Sequence, residues 1–372
     1  MKTLIKIICI MLIPVNLFFS GCIEKSRFVA GCFTETGQGG LNVFDFNSSD
    51  GTLSYLAGYN AGPNPSYLCF SGHKKLIYAI NEVSEFKGIK GGGLTTLEYT
   101  GSFDNIKKVN EIIVPNGGPC FISITPDNSF LLIANYTGGS VAVVKLDENG
   151  IPEKVCDTII FNGIGEKVSH AHMISSDPSG NRVYVTDLGL DRIMIYTLNP
   201  SSGKLIPFNE DGVSLPEGTG PRHFVFSKDG SKMYVMGELN STVNVFTVDD
   251  KSGLIPLQKV SALREGFTGP KSSADIHISK SGQFLYGTNR GENSIVTYRI
   301  GRDGLLTLAG STSCGGDWPR NFTIDPSGKF ILVGNQRSGN ISVFAIDEKS
   351  GLPEKSVYDV KLQGPACIKF KY

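Results

Sequence analysis

The sequence is bounded first by what it does not contain. It has no excess of charge, since 35 Lys and Arg balance 35 Asp and Glu, so no polyanionic partner is indicated and nucleic acid is a poor fit. No cysteines form a C-x-x-C pair, and there is no G-x-S-x-G elbow, no H-E-x-x-H and no dinucleotide fingerprint. The sequence signatures of thiolate metal sites, serine hydrolases, zinc proteases and Rossmann enzymes are therefore missing. The glycine-rich KGIKGGGL at 87–94 lies between two strand-like runs with no helix after it. It lacks the helix dipole that a phosphate loop uses, and a long flexible hairpin turn is the expectation. Neither a cofactor nor a metal is implied.

What is present begins with the N-terminus. Lys2 and Lys6 precede a mostly apolar run from Ile7 to Phe19, which ends in Phe-Ser-Gly-Cys at 19–22. That is the layout of a secretory signal, too short for a spanning helix. Cys22, directly after Ser-Gly, is similar to the lipidated cysteine of a bacterial lipobox. The expectation is a lipoprotein signal peptide over 1–21, acylation at Cys22, a short tether over 22–27 and a single domain over 28–372. Lipid alone would hold that domain at a membrane face of the cell envelope, periplasmic or extracellular. A plain signal peptide or an anchor helix is the alternative. With Cys9 in the signal, six cysteines remain, at 32, 69, 120, 156, 314 and 367. Most sit singly in apolar alternations and read as buried free thiols, although an even count outside the cytosol also permits disulfides.

The rest of the chain is a repeat. NPSYLCFSGHKKLIYAINE at 64–82 recurs as GPCFISITPDNSFLLIANY at 118–136, HAHMISSDPSGNRVYVTDL at 170–188 and GPRHFVFSKDGSKMYVMGEL at 220–239. Two more copies follow, SSADIHISKSGQFLYGTNR at 272–290 and WPRNFTIDPSGKFILVGNQ at 318–336. Each copy is a pair of alternating runs around a polar turn, followed by a third run such as NSIVTYRI, a turn that is often Ser-Gly-Leu, and a fourth run. Four antiparallel strands about every 50 residues is the pattern of a β-propeller blade. The chain ends in QGPACIKFKY, a first strand without a sequel, and the N-terminal region supplies later strands without a first. The expectation is an all-β, seven-bladed propeller of four-stranded antiparallel blades, its last blade closed by N- and C-terminal strands so that no sheet edge is left open.

In such a blade the start of the innermost strand and the end of the second lie at the same edge. Aligning the copies gives two rings around one channel mouth. The first reads Ser66, Cys120, His172, Arg222, Ala274, Arg320 and Ala366; the second reads Glu82, Tyr136, Leu188, Glu238, Arg290 and Gln336. The residue before the second ring is nearly uniform, Asn81, Asn135, Asp187, Gly237, Asn289 and Asn335, which suggests turn chemistry with the side chain bonding backbone two residues on. The exceptions within the rings, His172, Arg222, Glu238, Arg290 and Arg320, with His170 and His223 beside them, suit an anionic or carbonyl-bearing small molecule. Each also has a bland reading. Arg222 and Glu238 can form a structural ion pair, Arg290 and Arg320 can be solvated rim charges, and His223 can cap a turn or pack between blades. His170 and His172 are spaced to share one face of a strand, but no third ligand follows by spacing.

The stretches HAHMISSDPSGNRVYVTDLG, GPRHFVFSKDGSKMYV, TNRGENSI and WPRNFTIDPSGKFILVGNQ resemble the lactonase family of seven-bladed propellers, which contains 6-phosphogluconolactonases and fungal carboxymuconate lactonising enzymes. The resemblance covers residues 28–370. It implies a catalytic set of Glu238, His172, Arg222 and Arg290, with His170 as an equally near histidine; His170, His223, Arg320 and Gln336, from their place around the same mouth, are substrate-binding candidates. It also implies metal-independent ring opening of a sugar-type lactone. In that chemistry the arginines polarise the ester carbonyl, while Glu238 or His172 takes a proton from water and the other serves the leaving alkoxide. The partner is then a small-molecule lactone or sugar acid. The phosphorylated lactone is an intracellular intermediate, so an envelope location favours an unphosphorylated sugar or uronic-type lactone. A muconate-type cycloisomerase, or a non-catalytic propeller that binds an anionic small molecule or a protein partner, are the alternatives.

Overall fold

The computed structural model describes residues 25–34, 40–209 and 212–371. The signal segment and Cys22 lie outside them. Seven sheets are arranged as blades, each of four antiparallel strands, except that one carries its outer strand in two pieces. In that blade Leu205–Pro207 and Val213–Ser214 both pair with Arg192–Leu198. No helix occurs among the described residues.

The seventh blade closes the ring as the repeat implies. Its innermost strand is the C-terminal Pro365–Phe370, which pairs antiparallel with the N-terminal Lys25–Cys32, Phe28 opposite Phe370 and Cys32 opposite Pro365. Leu41–Asn47 and Leu53–Tyr59 complete it. The first strand therefore begins inside the stretch expected to be a tether, and Arg27 is tied there by ion pairs to Asp45 and Asp104.

Burial follows strand position. The second strand of a blade is flanked on both sides and covered on both faces, so Leu76–Asn81, Phe130–Asn135, Phe284–Asn289 and Phe330–Asn335 are buried throughout. A strand buried on both faces has no polar face to alternate with. The outermost strands alternate instead, as in Leu306–Ser313. Blades are also tied to their neighbours by buried tyrosines: Tyr78, Tyr234 and Tyr286 donate to the carbonyls of Gly150, Gly304 and Gly351, each in the following blade.

Two expectations need correction. KGIKGGGL is not a plain flexible turn, because Glu85–Phe86 and Ile89–Lys90 pair as a separate two-stranded hairpin with Phe86 buried. The near-uniform Asx position is structural, but its side chains do not bond backbone two residues on. Asn81 donates to the carbonyls of Ala61 and Pro63, Asn135 to Pro115, Asn289 to Ala262 and Asn335 to Cys314. Each clasps the connection arriving from the preceding blade. The reason is burial: these residues end a fully covered strand, so their amides must be satisfied by whatever backbone lies against them. All six cysteines among the described residues are free thiols.

Candidate active site

Two repeated devices present the ring residues at one mouth. First, inner strands carry an extra residue near their start. Pro119 pairs with Asn135 but Phe121 with Ala134, so Cys120 is bulged out of the ladder. His172 and Arg320 are displaced in the same way, as are Arg222 with His223 and Ala274 with Asp275. A bulge re-aims a side chain that the pleat would otherwise direct into a neighbouring blade. Second, each residue of the second ring donates its backbone N–H to the residue two before the first-ring position: Glu82 to Asn64, Tyr136 to Gly118, Leu188 to His170, Glu238 to Gly220, Arg290 to Ser272 and Gln336 to Trp318. The two rings are thus pinned to each other in every blade.

The centre is a carboxylate between two guanidinium groups. Glu238 Oε2 lies 2.9 Å from Arg222 Nε and 2.7 Å from Arg290 Nη2. Arg222 is 2% exposed and Arg290 6%, whereas the Glu238 side chain is 17% exposed. The Arg222 Nε contact is close but poorly aligned, so this nitrogen has no hydrogen-bond partner among the described residues despite its burial. Arg222 is held from behind as Nη1 donates to the carbonyl of Ala274 at 2.7 Å and meets His223 Nε2 at 3.4 Å. Arg290 donates to the carbonyls of Ser272 and Ser273, and its guanidinium sits 5.1 Å from the Trp318 ring centroid. The ion pair considered as a bland reading of Arg222 and Glu238 is therefore present, and a third member from the next blade makes it a bridge.

Aromatic rings fill the channel behind this bridge. His223 is met edge-on by Tyr67, Phe121 and His172 at 6.0, 5.3 and 5.1 Å between centroids, so rings from four blades meet there. His172 is buried, and that burial, reinforced by Arg222, His223, Arg320 and Arg290, holds its pKa well below the usual range. It is a neutral imidazole, its Nδ1 3.9 Å from the Cys120 thiol. Burial pushes the Cys120 thiol up, which leaves it protonated and unsuited to act as a nucleophile. His170 lies outside the strand, stacks on Tyr136 at 4.5 Å and shares a hydrogen bond of 3.1 Å between Nδ1 and the Tyr136 carbonyl. His172 meets the same tyrosine edge-on at 5.6 Å.

The remaining candidates separate. Arg320 is more loosely held, 3.7 Å from Glu82 Oε2 and over the Phe33 ring at 4.9 Å. Gln336 is half-buried, with a buried Oε1 that has no partner among the described residues. His223 is enclosed with both ring nitrogens engaged, at Arg222 and at Asp275, so the expected direct contact with substrate is not open to it. The sequence reading missed Asp275, which accepts from His223 Nδ1 at 2.7 Å and meets His277 Nε2 at 3.0 Å. One residue per blade was assigned to the first ring, and the bulge after Ser273 in fact displaces two, Ala274 and Asp275. Glu82 was aligned but not singled out; it accepts from Ser66 Oγ at 2.5 Å. Among the described residues no cluster of three or more His, Cys, Asp or Glu is placed to hold a metal ion.

A rigid propeller that gathers guanidinium groups, a carboxylate and a neutral imidazole at its channel mouth has the parts for hydrolysis of a strained ester, and in class the protein is a lactone hydrolase. The chain belongs to the lactonase family of seven-bladed β-propellers, whose model matches residues 27–370. It is 31% identical over 351 residues to a 6-phosphogluconolactonase of Formosa agariphila, covering 91% of this chain and 98% of that one. It is 28% identical to the 6-phosphogluconolactonase of Bacillus subtilis, covering 91% and 97%. Among solved structures it is similar to a periplasmic gluconolactonase of Pseudomonas aeruginosa, with a TM-score of 0.87, 29% identity and coverage of 93% and 99%.

Proposed function

We propose that this protein opens an unphosphorylated sugar-type lactone at the channel mouth, in the cell envelope. The observation that carries the reading is the Glu238 bridge between Arg222 and Arg290 beside a neutral His172. The arginines polarise the lactone carbonyl and stabilise the oxyanion as charge develops. His172 takes a proton from the attacking water, Glu238 keeps the two guanidinium groups in register and orients that water, and the imidazolium returns the proton to the leaving alkoxide. Arg320, Gln336 and His170 line the approach and bind the substrate's polar groups.

Charge supports the unphosphorylated substrate. Three guanidinium groups, Arg222, Arg290 and Arg320, face two carboxylates, Glu82 and Glu238, and the imidazole between them is neutral. Each of these arginines already faces a carboxylate, and a further one, Asp275, lies behind Arg222, which suits a neutral lactone or a monoanionic uronic-type lactone better than a phosphate dianion. The solved relative described as a periplasmic gluconolactonase and the signal-like N-terminus with its lipobox cysteine support an envelope location, with Cys22 as the lipid anchor and the propeller as the single mature domain. A pH-stat assay tests this. Glucono-δ-lactone should be turned over, 6-phosphogluconolactone less well, and Glu238→Gln or His172→Ala should abolish most of the rate. Unchanged turnover in both variants would remove the catalytic assignment, and ligand binding without turnover of any lactone would favour a binding propeller.

A further inference from the structure

We infer that Asp275 and His223 are a positioning pair for Arg222, so that the electrostatic centre is set from deep in the channel and from the neighbouring blades. The inference rests on the lactonase reading for its kinetic test and on geometry for its content. Arg222 and His223 leave the ladder together at one bulge, and Ala274 and Asp275 leave it together in the next blade. The two bulges face each other: Ala274 supplies the carbonyl that receives Arg222 Nη1, and Asp275 supplies the carboxylate that receives His223 Nδ1. With Nδ1 bearing the proton for Asp275, Nε2 of the neutral ring presents a lone pair to Arg222 Nη1 at 3.4 Å.

Asp275 is itself over-determined. Its two oxygens also accept from the backbone N–H of Ile276 and Phe322 and from the Asn321 amide, and His277 approaches from the far side. Asn321 in turn accepts from the backbone N–H of Ile368 in the closing blade. A buried carboxylate with this many donors cannot rotate without losing several of them. It therefore fixes the His223 tautomer and ring plane, and through them the plane of the Arg222 guanidinium. A residue that merely filled the channel would need neither the carboxylate nor the tautomer.

Two conservative variants separate positioning from packing. His223→Asn keeps a side-chain donor for Asp275 and loses the acceptor for Arg222, whereas His223→Gln places an amide oxygen near the former Nε2. In folded protein, turnover of glucono-δ-lactone should fall about ten- to a hundredfold in kcat for His223→Asn, with KM changed little, as expected when a catalytic group shifts by about an ångström. His223→Gln should recover part of that loss, and Asp275→Asn should move in the same direction as His223→Asn. An independent readout is the Nη1–H resonance of Arg222 in ¹⁵N-arginine-labelled protein, expected to be protected from exchange in the parent protein and in His223→Gln and to lose protection in His223→Asn. Folded His223→Asn with parental kcat and a protected Arg222 signal, or His223→Gln no better than His223→Asn in both measurements, would overturn the inference. If the parent protein hydrolyses no lactone, the lactonase reading fails by itself and the arginine signal alone decides this one.

Discussion

The two faces of the propeller use the same residue types for different ends. On the face away from the mouth, carboxylates are satisfied by their own turns. Asp229 accepts from Ser227 and Ser231, Asp325 from the backbone of Ser327, Lys329 and Phe330, and Asp249 from the backbone of Lys251 and Ser252. Clefts of about 730 and 400 Å³ lie between such turns, but the polar groups around them are largely spent on local geometry. At the mouth and in the channel behind it, Glu238 and Asp275 find partners in other blades: Asp275 is bound by residues 52 and 46 positions away, and Glu238 by an arginine of the next blade. Local pairing makes a turn, whereas pairing across blades makes a site that exists only when neighbouring blades are packed together.

The sharpest way to break this contrast is at the bridge. Glu238→Gln and His172→Ala should each lower kcat by about 10²- to 10³-fold, measured by pH-stat, with the fold intact by circular dichroism. Next comes acid stability. Burial and Arg222 bring the His223 pKa down to about 4, and burial also holds that of His172 well below its ordinary value. Both groups bind protons more readily when unfolded, so stability should fall as pH drops from about 6.5 toward 4. For His223 the loss is on the order of 3 kcal/mol, read from urea melts and flattened in His223→Gln.

Smaller effects sharpen the comparison. Asn289→Leu leaves the buried Ala262 carbonyl without its donor and should cost about 1–3 kcal/mol, while disturbing the adjacent Arg290 enough to raise KM. Arg320→Ala should raise KM severalfold with kcat nearly unchanged, because among the described residues this side chain is held by a long 3.7 Å pair to Glu82 and by a ring. At the other face Asp229→Ala should cost at most about 1 kcal/mol and leave turnover untouched. A large activity loss there would mean that the faces are coupled.

The ring positions were legible in the sequence because a repeat allows one blade to be read against another. Arg222, Glu238 and Arg290 stand out only as departures from their equivalents, and the shared backbone bond from each second-ring residue gives that alignment a physical basis. What the repeat could not reveal is the inside of a bulge. One extra residue shifts the pleat, so alternation no longer says which way Asp275 or His223 points, and a substrate-facing role for His223 followed from that ambiguity. The Asx column was recognised as structural, and Asp187 does accept from a backbone N–H of its own turn, that of Leu190, but the asparagines' partners are backbone carbonyls roughly 20 residues earlier, a distance at which no turn rule applies.

With Cys22 acylated as proposed, the closing blade would also set how the protein is presented. Cys32 lies level with Pro365, at the mouth, and the strand runs back so that Lys25 ends on the opposite face. Two residues lie between Cys22 and Lys25, so the two are at most about 10 Å apart along an extended chain. An acyl anchor there would seat the turn-built face on the bilayer and aim the mouth outward, into the aqueous compartment from which a soluble lactone must arrive.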